Sequence, residues 1–520
     1  MILVGLSSSF AYRILILPMH VGTSHKKSMI PLADALGRRG HKVQIWNAFF
    51  TRQHSANSQY FTDSEIVVST RVKEYLDIFV NNNGSAAFNF WNTNDFTPVD
   101  MLTPWYMTTD VCRHALANNM TDIEQLISVG WDLIVVDSFF TPCAYHIVAL
   151  AQVPYIIMST TFAMPHSLYH FGVPMPVSSP IPIRQFYSLT KFTDRFRYFI
   201  DWRLSDFATI ELVNHNIKRD LQPHLPRSFS VSTFNQQAFL LYSVLPPIIE
   251  WTRPYTQLAI NVGARNCTAL YFDESALTQI SLNADIQRFI SDPKSKGTIV
   301  AGFGHYVSWS EAPLFMVEAF YHAFRQLGEY RFVWQFSGKP PDLSPRADNI
   351  MFLQWVPQSA LLRHPKTRLL VTHLGLKSSI EAICHRIPVV AMPIFAEQPY
   401  NTQQLIHRYG AGVVLNKFSL SQRYVFDKLN DVLLDQSRYK RAIERVESLI
   451  GDVIMDGNHL ASFWIEFVIR HKDRIVILRD RSVQLNFLQY FMLDVIFAAF
   501  CSLMLILWVL YSVFKRLKFP

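Results

Sequence analysis

Residues 495–514 read VIFAAFCSLMLILWVLYSVF, 20 residues without a charge. At about 1.5 Å of rise per residue, such a helix matches the hydrocarbon core of a bilayer. The reading is a transmembrane helix, so whatever folds in water must do so before it. Six residues follow, and Lys515, Arg516 and Lys518 make 515–520 a basic tail that the positive-inside rule places in the cytoplasm. The body is then lumenal. The ending RLKFP is similar to the basic retrieval signals of endoplasmic-reticulum membrane proteins and equally fits a collar of snorkelling side chains.

A lumenal body needs a signal, and residues 1–11, MILVGLSSSFA, offer a short apolar run with small residues Ser9 and Ala11. The run lacks a basic start and the strand pattern resumes at Tyr12, so it reads as a short or truncated signal sequence. Sequons at Asn83, Asn119 and Asn266 are candidate glycosylation sites. The five cysteines, 112, 143, 267, 384 and 501, show no metal-type spacing, and one lies in the apolar run. Free buried thiols are the expectation, with neither a zinc site nor a disulfide framework. With 50% hydrophobic and 17% charged residues the chain is a folded one. Its net charge of +8 is spread along the chain, which argues against a nucleic-acid partner.

The 520 residues exceed one hydrophobic core. An apolar strand at 13–17, a helical pattern through Met29, Leu32 and Leu36 that stops at Gly40, and a strand at 43–46 make a βαβ start. Strands at 132–137 and 154–158 continue it. The pattern restarts near Asp285, with strands at 298–302, 331–336, 350–353, 369–372, 389–392 and 412–415 and a helix near 314–327. The expected fold class is α/β, two doubly wound Rossmann-like domains facing a cleft, plus one C-terminal transmembrane helix. The expected boundaries are 12–280, 281–450, a membrane-proximal segment at 451–494, the span at 495–514 and the tail at 515–520. Within the first domain, 184–207 interleaves Arg184, Lys191, Arg195, Arg197 and Arg203 with aromatics, which fits an interfacial helix on a membrane or a packed helix with solvated basic faces.

Open α/β sheets bind ligands beyond the carboxyl ends of their strands. There the second domain carries THLGLKSSIEA: His373 ends a strand, Gly375 lets the backbone turn, and the amides of Lys377 and Ser378 open a helix suited to a diphosphate. Glu381, one turn in, can reach ribose hydroxyls. By itself the stretch also fits an ordinary strand-to-helix turn. Its flanks add Trp355 and Gln358, a ring and an amide suited to a pyrimidine, and Glu397 and Gln398, suited to sugar hydroxyls.

The run from Trp355 to Asn401 (WVPQSALLRHPKTRLLVTHLGLKSSIEAICHRIPVVAMPIFAEQPYN) resembles the signature of the UDP-glycosyltransferase family, in particular the animal membrane-bound UDP-glucuronosyltransferases. The likeness extends over nearly the whole chain. It implies a GT-B fold, a detoxifying enzyme of the endoplasmic-reticulum membrane, a small lipophilic acceptor in the first domain and a UDP-sugar co-substrate in the second. It places uracil at Trp355 and Gln358, diphosphate at His373 and the amides after Gly375, ribose at Glu381, and the sugar at Glu397 and Gln398. Lys377 stands where the family usually has Asn, Ser378 where Gly is frequent, and His305 where a small hydroxyl residue is usual.

Sugar transfer to a hydroxyl needs a general base. His25, just past the first strand and ahead of a helix expected to begin near Ser28, is exposed at the strand's carboxyl end. Asp137, which ends DLIVVD, is the carboxylate to hold it, while Asp132 starts the same strand and points away. The resemblance assigns these two the roles of catalytic dyad, in an inverting displacement of UDP. No Asp-x-Asp occurs in the chain, so neither a metal nor any cofactor is expected. Arg253, in an Arg-Pro that matches the family, reads as a partner for a sugar carboxylate or, more simply, as half of an ion pair. The departures at Lys377 and His305 support a second expectation, a catalytically impaired homologue that regulates active relatives, and homo- or hetero-oligomers fit either.

Overall fold

The structure is a computed structural model and describes residues 11–20, 23–49, 58–68, 91–92, 98–173, 188, 190–201, 206–263, 267, 282–304 and 307–518. Two parallel sheets organise it. The first runs β3-β2-β1-β4-β5-β6-β7, with β1 (Arg13–Leu17), β2 (Lys42–Phe49), β3 (Phe61–Val67), β4 (Leu133–Asp137), β5 (Tyr155–Ser159), β6 (Leu241–Ser243) and β7 (Ala259–Asn261). The second runs β10-β9-β8-β11-β12-β13, with β8 (Gly297–Gly302), β9 (Tyr330–Gln335), β10 (Ile350–Leu353), β11 (Thr367–Thr372), β12 (Val389–Ala391) and β13 (Gly412–Val414). Each sheet reverses its winding once, between β1 and β4 and between β8 and β11. A doubly wound sheet opens a ligand crevice at that point.

The central strands are legible because both of their faces are covered: LIVVD in β4 and GTIVAG in β8 are buried at every position. The edges are not. β3, FTDSEIV, buries only Phe61 and Ile66, and its charges hide it from an apolar-run criterion. β6 and β7, three residues each, are too short to carry a pattern. The second core is aromatic, with Phe320, Phe324, Phe332, Trp334 and Trp309 packed ring on ring between sheet and helices.

The first helix spans Thr23–Arg38, so His25 lies in its opening turn and Pro31 in its interior. Pro31 has no N–H to give, a cost offset by burial of Met29, Leu32 and Leu36 against the sheet. At the chain's far end, helix Gly457–His471 crosses back onto this helix. There Arg39 grips Glu466 with both arms (2.6 and 2.8 Å) and His41 Nε2 adds a third bond at 3.0 Å.

Two disulfides correct the expectation of free thiols. Cys112–Cys143 joins helix Leu102–Asn118 to helix Pro142–Ala151, and Cys267–Cys384 ties residue 267 to the end of helix Leu376–Cys384. Their separations of 31 and 117 residues follow no spacing rule, and only the fold brings each pair of Cα atoms to 5.2 Å. Cys501 is free. Helix Leu493–Lys518 is long and apolar enough to cross a membrane, and it packs against nothing that buries it. In the 184–207 segment Arg184 and Arg203 lie outside the described residues. Helix Phe192–Tyr198 leaves Phe192 and Phe196 exposed with rings 6.0 Å apart, so that face is uncovered rather than packed.

Candidate active site

Register assembles the first half of the site. Asp137 pairs with Met158 across β4 and β5, and Thr160 follows one residue beyond the end of β5. His25, in the first turn after β1, reaches over from the neighbouring strand. His25 Nδ1 lies 2.9 Å from Asp137 Oδ2, with Asp137 buried and 15% of the imidazole side chain exposed. The Phe139 backbone N–H donates to Asp137 Oδ1 at 3.2 Å and that of Met19 to Oδ2 at 3.4 Å, which fixes the buried carboxylate in position. Phe139 meets the His25 ring edge to face at 5.8 Å, with Phe162 behind it at 6.1 Å, so one wall beside the imidazole is apolar. Beneath, His20 donates from Nδ1 to Asn47 Oδ1 (3.0 Å) and accepts the Cys143 N–H at Nε2 (3.3 Å); burial lowers it to about 4, so it is neutral framework.

The second half forms likewise. Thr372 pairs with Gly302 on one side and Ala391 on the other, so His373, the β8 turn and the loop to Glu397 converge. His373 stacks on Phe303 with ring centres 6.3 Å apart. Burial lowers its pKa to about 4 against a hydrogen bond with the Gly302 backbone, so the ring is neutral and its one N–H is directed at that backbone. The residue that turns the backbone is Leu374, at φ 61°; Gly375 is at φ −59°, and its missing Cβ matters because one there would sit 3.0 Å from His373 Nε2. Gly304, at φ 74°, faces the same ring, and a Cβ would come within 2.9 Å of it.

Helix Leu376–Cys384 starts at this ring, its first-turn amides lacking carbonyl partners within the helix, and Lys377 is exposed in that turn. Trp355 is 61% exposed, a flat face open to stacking. The Gln358 amide donates to Ser378 Oγ at 3.1 Å and Glu381 Oε2 at 2.5 Å, gathering three of the sequence-selected residues into one knot. Glu397 Oε1 accepts the Leu376 N–H at 3.5 Å, and burial raises its pKa while its own backbone and the His25 imidazole lower it. That carboxylate and His25 are close enough to act on each other electrostatically. Gln398 spends its carbonyl oxygen on the N–H groups of Ile394 (2.8 Å) and Phe395 (3.1 Å), which shapes the loop and leaves only its –NH2 for a sugar.

The domains also meet through Tyr400, whose ring stacks on Phe162 at 5.9 Å and whose hydroxyl donates to Glu250 and accepts the Trp251 N–H at 3.2 Å. Arg253 pairs with the same Glu250 at 2.7 Å, buried, so the ion-pair reading holds for it. His305, Asn83 and Asn266 lie outside the described residues. Asn119 is partly exposed between helices Leu102–Asn118 and Met120–Ser128, its amide 3.3 Å from Asp122 Oδ2. Sequence reasoning passed over Thr160, Glu250 and Tyr400, because a lone Thr, Glu or Tyr gives no signal until the fold places it.

The family model described as UDP-glucoronosyl and UDP-glucosyl transferase matches residues 12–520. The chain belongs to that family. It is a UDP-glycosyltransferase, transferring sugar from a UDP-sugar. Among curated relatives, the UDP-glucuronosyltransferase of Pleuronectes platessa is 28% identical over 399 residues, covering 76% of this chain and 81% of the relative. UDP-glucuronosyltransferase 1A1 of Homo sapiens is 28% identical over 509 residues, covering 94% and 88%. Among solved structures, the calicheamicin glycosyltransferase CalG4 superposes with a TM-score of 0.55 at 17% identity over 89% of this chain and 99% of its own. The glycotransferase of kitacinnamycin gives 0.59 at 13% over 88% and 100%. At those identities the structures speak for the fold alone, which is GT-B.

Proposed function

We propose that this UDP-glycosyltransferase moves a glucosyl or glucuronosyl group onto a hydroxyl of small lipophilic acceptors, by inverting displacement with His25 as base and Asp137 as its partner. The observation that carries this reading is the 2.9 Å His25–Asp137 contact at one switch point, within electrostatic reach of Glu397, with the Leu376–Cys384 helix start at the other. The acceptor proton passes to His25 Nε2 as its oxygen bonds to the anomeric carbon. The bond from that carbon to the β-phosphate oxygen breaks, and its electron pair leaves with UDP. Asp137 offsets the charge of the imidazolium. The helix-end amides beside His373 take up the charge on the diphosphate, with no metal in the proposal. Trp355 stacks on uracil, the Gln358–Glu381 knot meets the ribose side, and Glu397 with the Gln398 amide meets sugar hydroxyls. The Phe139 and Phe162 wall supports a lipophilic acceptor.

We also place the body in the endoplasmic-reticulum lumen and the basic tail in the cytoplasm. Disulfides belong to oxidising compartments, and the uncharged span before Lys515 and Arg516 supports the orientation. Asn119 is then a glycan acceptor.

The test is acceptor-dependent UDP release from membranes carrying wild type or His25→Ala, with UDP-glucose and UDP-glucuronate offered separately beside pooled phenols and steroids. Release lost in the variant supports the reading and names the donor. Equal release from both proteins removes His25 from the mechanism.

A further inference from the structure

Building on the reading of His25 and Asp137 as catalytic, we propose that Thr160 is a positioning residue that completes the dyad into a three-membered hydrogen-bonded unit. Thr160 stands on the acceptor domain's third central strand end, is 1% exposed, and belongs to neither motif that drew attention in the sequence. Its Oγ1 lies 2.6 Å from His25 Nδ1, 3.1 Å from Asp137 Oδ2 and 3.2 Å from Asp137 Oδ1. One oxygen therefore touches both partners of the dyad, which are themselves 2.9 Å apart.

Proton accounting settles what the hydroxyl does. The triangle of Nδ1, Oδ2 and Oγ1 has room for two protons, one from the imidazole and one from the hydroxyl, because a carboxylate brings none. A proton on Nε2 would turn the Nδ1 lone pair toward a carboxylate oxygen at 2.9 Å, two acceptors face to face. With the proton on Nδ1 every contact is satisfied: Nδ1–H is shared between Oδ2 and Oγ1, while the hydroxyl donates to the carboxylate. That arrangement leaves the Nε2 lone pair as the base. Once His25 has taken the acceptor proton, the same two oxygens face the Nδ1–H of the imidazolium.

Asp137 alone gives the ring one contact about which it can pivot. Thr160 gives a second, and a β-branched side chain buried beside Ser159 and Phe162 holds its hydroxyl in a fixed place, since Ser159 Oγ pins the loop by donating to the Phe162 carbonyl at 2.7 Å. The ring plane is set by two oxygens rather than one. Thr160 touches no substrate in this scheme; it acts through His25.

The experiment compares full-length wild type, Thr160→Val, Thr160→Ser, His25→Ala and Asp137→Asn in membranes, each with kcat, KM for the UDP-sugar and a pH profile of kcat/KM. Removing the hydroxyl while keeping the shape in Thr160→Val should lower kcat by roughly tenfold or more, the worth of a hydrogen bond to a charged group. It should leave the UDP-sugar KM near wild type and displace the acid limb of the profile. Thr160→Ser restores most of kcat. If Thr160→Val does not accumulate as folded protein, Thr160→Ala is read against Thr160→Ser in its place. A Thr160→Val enzyme with unchanged kcat and acid limb overturns the proposal, as does a loss that Ser shares equally. Activity that survives His25→Ala instead overturns the dyad itself, so the two failures are told apart by which variant stays active.

Discussion

At the scale of single residues, His373 shows how a site depends on what is missing around it. Its ring occupies space that a Cβ on Gly304 or Gly375 would invade. Gly304→Ala adds backbone strain at φ 74° to the clash, so it should raise the UDP-sugar KM several-fold while acceptor KM stays put, as initial-rate kinetics would show. Trp355 offers the opposite case, a residue whose value lies in being uncovered. Trp355→Ala should weaken UDP binding by roughly 1–3 kcal/mol, read by calorimetry with UDP, and leave thermal stability nearly unchanged because the ring is mostly in water. Such residues were legible in the sequence because strand ends concentrate them. Gln358 was legible as a candidate site residue, but nothing along the chain shows that residues 358 and 381 share a hydrogen bond.

At the scale of elements, the Gly457–His471 helix fastens the far end of the chain to the helix that starts with His25. Burial pushes the Glu466 carboxyl up, but hydrogen bonds from Arg39 and His41 outweigh it and hold it at about 2. A depressed carboxylate stabilises above its unfolded pKa, near 4.3, and that contribution fades as pH falls from there toward 2. The clamp is therefore intact at neutral pH. Glu466→Ala should cost roughly 1 kcal/mol, given partly exposed partners, and show in urea melts of the detergent-solubilised protein; near pH 2 the difference from wild type should vanish. Element types and order were readable from apolar runs, whereas β3, β6 and β7 were not, because edge strands bury too little or extend too briefly to leave a pattern.

For the whole molecule, buried histidines set the acid limit. His20, His170, His373 and His385 each have their pKa lowered by burial to about 4. The unfolded chain binds protons near 6.5 where the folded one does not, so stability is full above 6.5 and declines as pH falls from 6.5 to 4. The midpoint of thermal unfolding should drop over that window, before the further loss that protonation of Glu466 brings at lower pH. Composition and periodicity by themselves determined two doubly wound domains, a helix long and apolar enough to cross a membrane and the strand ends where polar residues gather, because burial on both faces and helical length write themselves into local patterns. The tertiary structure alone decided which residues touch: the cysteine pairs, the Gln358–Glu381 knot and Thr160 on the dyad. Contacts across 23 to 135 residues depend on strand register and helix docking, and no local pattern encodes a distance.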